Sequence, residues 1–82
     1  MPYFVYIIYS ILLDRYYIGY TQDIVKRLEE HNSGISTYTS KANDWELKYA
    51  EGFETRLLAM KREREIKKQK SRKCIEQLIM KK

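Results

Sequence analysis

Residues 3–20 read YFVYIIYSILLDRYYIGY and predict a β-hairpin. The first run, residues 3–9, is aromatic or β-branched throughout, which is typical of a strand that is buried on both faces. Residues 10–15 form a polar-ended connection, and residues 16–20 predict a second short strand. We therefore expect two antiparallel neighbours joined by a loop of about six residues, with the first strand inside the sheet.

The register of this hairpin is expected to place two tyrosines on one face of the sheet. If paired residue numbers sum to 25, Tyr6 lies opposite Gly19. In the same register Ile8 lies opposite Tyr17, and both pairs point to one side. Glycine within a strand often marks a place where another group approaches closely. The gap at Gly19 is therefore a candidate place for a functional group or ligand to approach the sheet.

A helix and a long loop follow the hairpin. Thr21 is expected to cap a helix over residues 22–32, and Gly34 fits a C-terminal stop. Residues 34–44 are dominated by Ser, Thr, Asn and Gly, which is typical of a loop. Loops of this length often carry function.

The predicted helix over residues 22–32 brings two polar candidates together. Ile24 and Leu28 form its expected inward stripe. Arg27 and His31 lie four residues apart on an adjacent row, where Cβ atoms are about 5–6 Å apart. The two side chains can therefore act together, although a solvated helix face would give the same pattern.

The rest of the chain predicts an edge strand and two helices. Apolar and charged residues alternate from 45 to 53, which is typical of a strand with one wet face. Residues 55–70 are strong helix formers with Thr55 as cap, and Ser71 can cap a last helix. The apolar face of that helix consists of Cys74, Ile75, Leu78 and Ile79. The expected fold class is α/β of the α+β kind, with a small three-stranded, mostly antiparallel sheet flanked by about three helices.

Length and composition favour one folded domain over residues 1–82. Hydrophobic residues make up 44% and charged residues 33%, which excludes disorder for most of the chain. No stretch approaches the ~18 consecutive apolar residues of a membrane span, and the start lacks the features of a signal peptide. Cys74 is the single cysteine, so the sequence excludes an internal disulfide and a structural zinc site. The simplest interpretation of Cys74 is a small core residue. We expect a cytoplasmic protein.

The net charge of +5 is unevenly distributed along the chain. Residues 1–53 hold 5 basic and 7 acidic side chains, whereas residues 54–82 hold 11 basic and 4 acidic ones. A basic segment on a small domain is typical of a protein that binds a polyanion, most often nucleic acid. A solvated, lysine-rich helix face is the alternative.

Glu63 is a carboxylate at an unusual helical position. It lies between Ala59 and Ile66 at i, i+4, i+7 spacing, close to the expected inward stripe. An ordinary surface pair with Lys67, four residues on, is the structural alternative. Tyr6 and Tyr17 also have a purely structural alternative, because tyrosine rings often pack in half-buried strands while the hydroxyl stays in water.

These residue types suit phosphodiester hydrolysis. That reaction needs a divalent metal held by oxygen, a base for the attacking water, and positive groups for the charge on phosphate. Glu63 could anchor one Mg²⁺, which keeps most of its waters. Arg27 could clamp a phosphate oxygen, and His31 or a tyrosine could move the proton.

The order of these residues resembles that of a GIY-YIG nuclease domain, in its small stand-alone bacterial form. The pattern consists of Val5-Tyr6-Ile7, then Tyr17-Ile18-Gly19, then Arg27 and His31, and then Glu63 within residues 59–67. The resemblance implies a three-stranded sheet flanked by helices. It also implies cleavage of DNA phosphodiesters with one Mg²⁺ or Mn²⁺ ion per site.

The resemblance assigns expected roles position by position. Tyr6 and Tyr17 match the tyrosines of the two motifs, and one of them is expected to contact or activate the attacking water. Arg27 matches the arginine that binds the scissile phosphate, and His31 takes a position where members have histidine or tyrosine. Glu63 matches the metal-binding glutamate.

The sequence departs from the family pattern at three places. Val5 stands where the first motif is named for glycine, and Tyr20 stands where some members carry a lysine. No asparagine occurs after Asn43, whereas several larger members place one downstream of the glutamate.

The sequence is compatible with three functions. An endonuclease that acts on branched, damaged or otherwise non-B DNA explains both the charge and the cluster. A non-catalytic nucleic-acid-binding module of the same fold explains the charge alone. A structural or protein-interaction domain explains neither.

Overall fold

A three-stranded antiparallel sheet carries the fold, as the sequence predicts. The computed structural model describes residues 2–34, 41–69 and 71–80. The elements are β1 (Tyr3–Ser10), β2 (Arg15–Thr21), α1 (Ile24–Asn32), β3 (Glu46–Phe53), α2 (Arg56–Lys68) and α3 (Arg72–Met80). Within the described ranges, no helix has the length and apolar character needed to cross a membrane.

The strand order is β2-β1-β3, with both pairs antiparallel. The predicted hairpin register is confirmed, because Tyr6 pairs with Gly19 and Ile8 pairs with Tyr17. The positions of β1 inside the sheet and β3 at an edge are confirmed as well. The β-branched composition of β1 explains its position, since its central side chains are buried on both faces.

The two faces of the sheet have separate cores because successive strand residues point in opposite directions. Helices α2 and α3 cover one face. Its buried residues are Val5, Ile7, Ile18, Ala59 and Ile66, with Ile75, Leu78 and Ile79 of α3 partly buried against them. The other face has Leu28 of α1 partly buried against a second core. That core consists of Tyr6, Ile8, Ala42 and Trp45. The prediction that Cys74 is a core residue is wrong, because its side chain is only half-buried.

The cap of α1 differs from the prediction. Asp23, not Thr21, is the N-cap, and its Oδ1 accepts the N–H of Lys26 at 3.1 Å. A carboxylate suits the positive end of a helix, whereas the β-branched Thr21 suits the end of β2. The helix stop is as expected, because Gly34 has a φ of +84°. Residues 35–40 of the predicted loop lie outside the described residues.

Arg72 fastens α3 to the hairpin. Its guanidinium pairs with Asp14 at 2.6 Å and with Glu76 at 3.3 Å. It also lies 5.8 Å from the ring centroid of Tyr9 and 5.6 Å from that of Tyr16. Cation–π and ionic contacts therefore hold the last helix against the sheet.

Asn32 fastens the end of α1 to the start of β3. Its Nδ2 donates to the carbonyl of Trp45 at 3.1 Å, and its Oδ1 accepts the N–H of Trp45 at 2.7 Å. Trp45 is buried, so both of these backbone groups need a protein partner. Because Asn32 follows His31 directly, this contact also holds the imidazole in place.

We predict that Asn32→Ala lowers the free energy of unfolding by about 2 kcal/mol, because two polar backbone groups at a buried residue lose their partner. Urea denaturation monitored by Trp45 fluorescence measures the change. Asn43→Ala, at an exposed position nearby, is the matched control and is expected to have little effect. Equal stabilities for the two variants would contradict the role given to Asn32.

Candidate active site

A hydrogen bond between Tyr6 and His31 forms the centre of the site. The phenol oxygen of Tyr6 lies 2.9 Å from Nε2 of His31. Tyr6 is 2% exposed and His31 is fully buried. The sheet supplies the phenol and α1 supplies the imidazole, so the bond joins residues that are 25 positions apart in the chain.

Tyr17 packs against both of these rings. Its ring centroid is 6.4 Å from that of Tyr6 and 5.0 Å from that of His31, in an edge-on arrangement with the imidazole. Ring pairs at these separations stabilise one another. Three of the five predicted site residues therefore form one aromatic cluster on the face of the sheet that the hairpin register indicates.

Arg27 lies one helical turn before His31. Its guanidinium pairs with Glu30 at 3.0 Å and interacts with the phenol of Tyr6. Its side chain is 32% exposed, so one part of the guanidinium faces solvent. Arg27 therefore connects the buried cluster to the surface.

The environment keeps the two hydrogen-bonded groups neutral at pH 7. Burial raises the pKa of Tyr6 to about 12, although the nearby guanidinium of Arg27 opposes the shift. Burial, and then the positive charge of Arg27, lowers the pKa of His31 to about 4. A neutral imidazole has one donor and one acceptor nitrogen, so it can hold the phenol without a net charge.

Gly19 makes room for the cluster. A Cβ at this position would lie 2.6 Å from the phenol oxygen of Tyr6 and 3.2 Å from a ring carbon of Tyr17. Both distances are shorter than ordinary contacts. The glycine is therefore required by the position of Tyr6 opposite it, as the gap in the predicted register suggests.

Glu63 belongs to α2, which covers the other face of the sheet. Its side chain is 17% exposed, and Oε1 pairs with Nζ of Lys67 at 3.4 Å. Its negative charge contributes to the raised pKa of Tyr6, after burial and the charge of Tyr17. Glu63 therefore lies within electrostatic reach of the aromatic cluster but has no direct hydrogen bond to it among the described contacts.

A shallow cavity of about 460 Å³ lies beside the edge strand β2. Its described lining residues are Tyr16, Tyr17, Ile18 and Lys67. Tyr17 thus faces a space that is also reached by the lysine paired with Glu63. Sequence reasoning missed this position of Lys67 because a lysine four residues after a glutamate is ordinary on a helix surface.

The donor set suits a hard cation that keeps its waters. Within the described residues, no three or more His, Cys, Asp or Glu side chains come together as a metal site. A zinc centre would need such a group. One carboxylate with several waters is a usual arrangement for Mg²⁺, and Glu63 offers a half-buried carboxylate whose described partner is Lys67.

The fold is a small α/β domain in which Tyr6, Tyr17 and His31 form one cluster with Arg27 beside it. A sequence model of the GIY-YIG catalytic domain matches residues 2–76. This chain therefore belongs to the GIY-YIG family, which confirms the resemblance. Membership implies nuclease-type activity on a nucleic-acid substrate.

Relatives and a solved structure support the assignment. The chain is 45% identical over 64 residues to a UPF0213 protein of Bacillus velezensis, which covers 77% of this chain and 64% of the relative. It is 42% identical over 53 residues to a UPF0213 protein of Halobacterium salinarum, which covers 63% of this chain and 69% of the relative. The solution NMR structure of a UPF0213 protein from Bacillus halodurans superposes with a TM-score of 0.62 at 34% identity, covering 100% of this chain and 86% of that one. These names state no activity.

We predict that Gly19→Ala displaces Tyr6 and breaks its hydrogen bond to His31, with a loss of about 1–3 kcal/mol in unfolding free energy from overpacking. Thermal denaturation and the imidazole NMR signals report the two effects. Gly52→Ala is the matched control in β3, because its added Cβ would meet Phe4 at an ordinary 3.6 Å. An unchanged imidazole environment in Gly19→Ala would contradict the close approach.

We also predict that His31 titrates near pH 4 in the folded protein, against 6.5 for an ordinary histidine. Between these values the unfolded chain binds the proton more readily, so stability falls as the pH drops from 6.5 to 4. His31 is the single histidine, so its NMR titration is unambiguous. A midpoint near 6.5 would show that the imidazole is not held in the buried, neutral form.

Proposed function

We propose that this chain is a divalent-metal-dependent DNA endonuclease that hydrolyses phosphodiester bonds with one Mg²⁺ or Mn²⁺ ion. The observation that carries the proposal is the position of a neutral Tyr6–His31 pair beneath Arg27, with Tyr17 against both rings. Glu63 lies within electrostatic reach of that cluster. The set contains a phosphate-binding cation, a proton-handling group and a metal-binding carboxylate.

Arg27 is the group that binds the scissile phosphate. Its guanidinium is partly exposed, and its planar fork can donate two parallel hydrogen bonds to phosphate oxygens. Its pairing with Glu30 and its interaction with Tyr6 limit the orientations of the side chain. A phosphate bound by Arg27 would therefore lie near the phenol of Tyr6.

Tyr17, rather than Tyr6, is the phenol that contacts the attacking water. Tyr6 is 2% exposed, and its pKa of about 12 keeps its proton in place at neutral pH. Tyr17 is half-buried and lines the cavity beside β2, where water and substrate can reach it. Tyr6 and His31 are then positioning residues that hold the Tyr17 ring.

Glu63 would hold the divalent ion, which supplies positive charge to stabilise the phosphate in the transition state. Tyr17 and Lys67 line the cavity beside β2, and the ion pair of Lys67 with Glu63 connects that cavity to the carboxylate. The half-buried position of Glu63 limits the number of waters around its carboxylate and so strengthens its electrostatic interactions.

DNA is the proposed substrate because the basic C-terminal third adds a sequence-independent attraction to phosphate. Lys61 and Arg64 are exposed on α2, the helix that also carries Glu63. We propose that the DNA strand that enters the cavity beside β2 has left regular B-form geometry. Branched or damaged DNA of the kind met in repair or recombination is therefore the proposed substrate class.

We predict that Glu63→Gln reduces nicking of a branched DNA by at least about 100-fold, because a neutral amide cannot replace the metal-binding charge. Affinity for the same DNA is expected to stay within a fewfold of the wild-type value. Gel assays with Mg²⁺ and fluorescence anisotropy measure the two quantities.

Glu65→Gln is the matched control for this substitution, because Glu65 is exposed on the same helix. It makes the same charge change outside the site and should leave nicking unchanged. If the wild-type protein binds branched DNA but cuts none with Mg²⁺ or Mn²⁺, the chain is the non-catalytic binding module instead.

A further inference from the structure

The ion pair between Glu63 and Lys67 is asymmetric in its exposure to solvent. The Glu63 side chain is 17% exposed, whereas the Lys67 side chain is 51% exposed. In the surface pair of Lys48 and Glu46, by contrast, the carboxylate side chain is 62% exposed. The ion pair therefore joins an exposed ammonium side chain to a largely buried carboxylate.

Lys67 also reaches a second environment. It lines the cavity beside β2 together with Tyr17, and it is the charged residue among the described lining residues. A lysine has a flexible four-carbon stem, so its ammonium can exchange partners without moving the helix. Nζ can thus contact either the carboxylate of Glu63 or an anion in the cavity.

A divalent cation at Glu63 would compete with this ammonium. The divalent cation and the ammonium of Lys67 would both bind the carboxylate oxygens of Glu63. Two cations on one carboxylate lie close together and repel one another. Displacement of Lys67 would leave its positive charge free in the cavity beside Tyr17. The anion that fits there is a phosphate of a bound nucleic-acid strand.

We propose that Lys67 is a positioning residue that couples metal loading to substrate binding. It neutralises Glu63 in the metal-free protein and turns to a backbone phosphate when a divalent cation takes the carboxylate. This inference rests on the proposed function, since it requires Glu63 to bind a metal. It adds a lysine contact that becomes available to DNA only after the metal has bound.

Metal binding without DNA tests the first half of the proposal. Titration of the protein with Mn²⁺ alone, followed by electron paramagnetic resonance, gives the dissociation constant. Lys67→Met is expected to bind Mn²⁺ about twofold to fivefold more tightly than wild type, because the competing ion pair is gone. Lys67→Arg keeps the positive charge and should retain the wild-type value.

Two further variants control this measurement. Lys68→Met removes the same charge from the neighbouring exposed position and should leave Mn²⁺ affinity unchanged. Glu63→Gln should abolish the binding. A purely structural role of Lys67 in helix α2 would not tighten metal binding in Lys67→Met.

The salt dependence of DNA binding tests the second half. A branched DNA with hydrolysis-resistant phosphorothioate linkages is titrated at several salt concentrations, with and without Mn²⁺. With Mn²⁺ present, the negative slope of log affinity against log salt should be shallower by about 0.9 in Lys67→Met than in the wild type, which corresponds to the loss of one phosphate contact. Without Mn²⁺ its slope should equal that of the wild type.

The possible failures are distinguishable. Three results would overturn the coupling and leave the proposed function intact. They are an unchanged Mn²⁺ affinity in Lys67→Met, an equally tightened affinity in Lys68→Met, and a slope difference between Lys67→Met and the wild type that does not depend on Mn²⁺. Absence of Mn²⁺ binding at Glu63 in the wild-type protein overturns both.

Discussion

The buried hydrogen bond between Tyr6 and His31 is the contact on which the rest of the site depends. It joins the central strand to α1 at a place where both partners are removed from water. Loss of either partner would leave a buried polar group unsatisfied, which is costly. Gly19 leaves the space for the phenol, and Asn32 holds the helix end that carries the imidazole. The bond thus fixes where α1 lies on the sheet.

A neutral interior and a charged border follow from this arrangement. Burial keeps Tyr6 and His31 uncharged, so they orient their neighbours without attracting ions themselves. The charged groups Arg27 and Lys67 are partly exposed and approach from the two helices. In the proposed function, the phosphate and the metal would therefore meet the charged groups at the border of the site.

Much of this arrangement follows from local periodicity. The alternation of strand side chains places Tyr6 and Tyr17 on one face, and the helical repeat places Arg27 next to His31. Long-range contacts are different, because no local pattern encodes the pairing of Asn32 with Trp45. The different exposures of Tyr6 and Tyr17 likewise arise only when α1 packs on the sheet. The position of Lys67, paired with Glu63 and lining the cavity beside β2, could not be predicted either, since i, i+4 spacing is the same for buried and exposed pairs.

An anomalous-scattering map from a crystal soaked in Mn²⁺ shows whether the side chains of Glu63, Tyr17 and Lys67 surround one cation site. We predict a single strong peak against the carboxylate of Glu63, on the side of the cavity lined by Tyr17, with Nζ of Lys67 moved away from Oε1. A peak remote from Glu63, or an intact Glu63–Lys67 pair at saturating Mn²⁺, would contradict it.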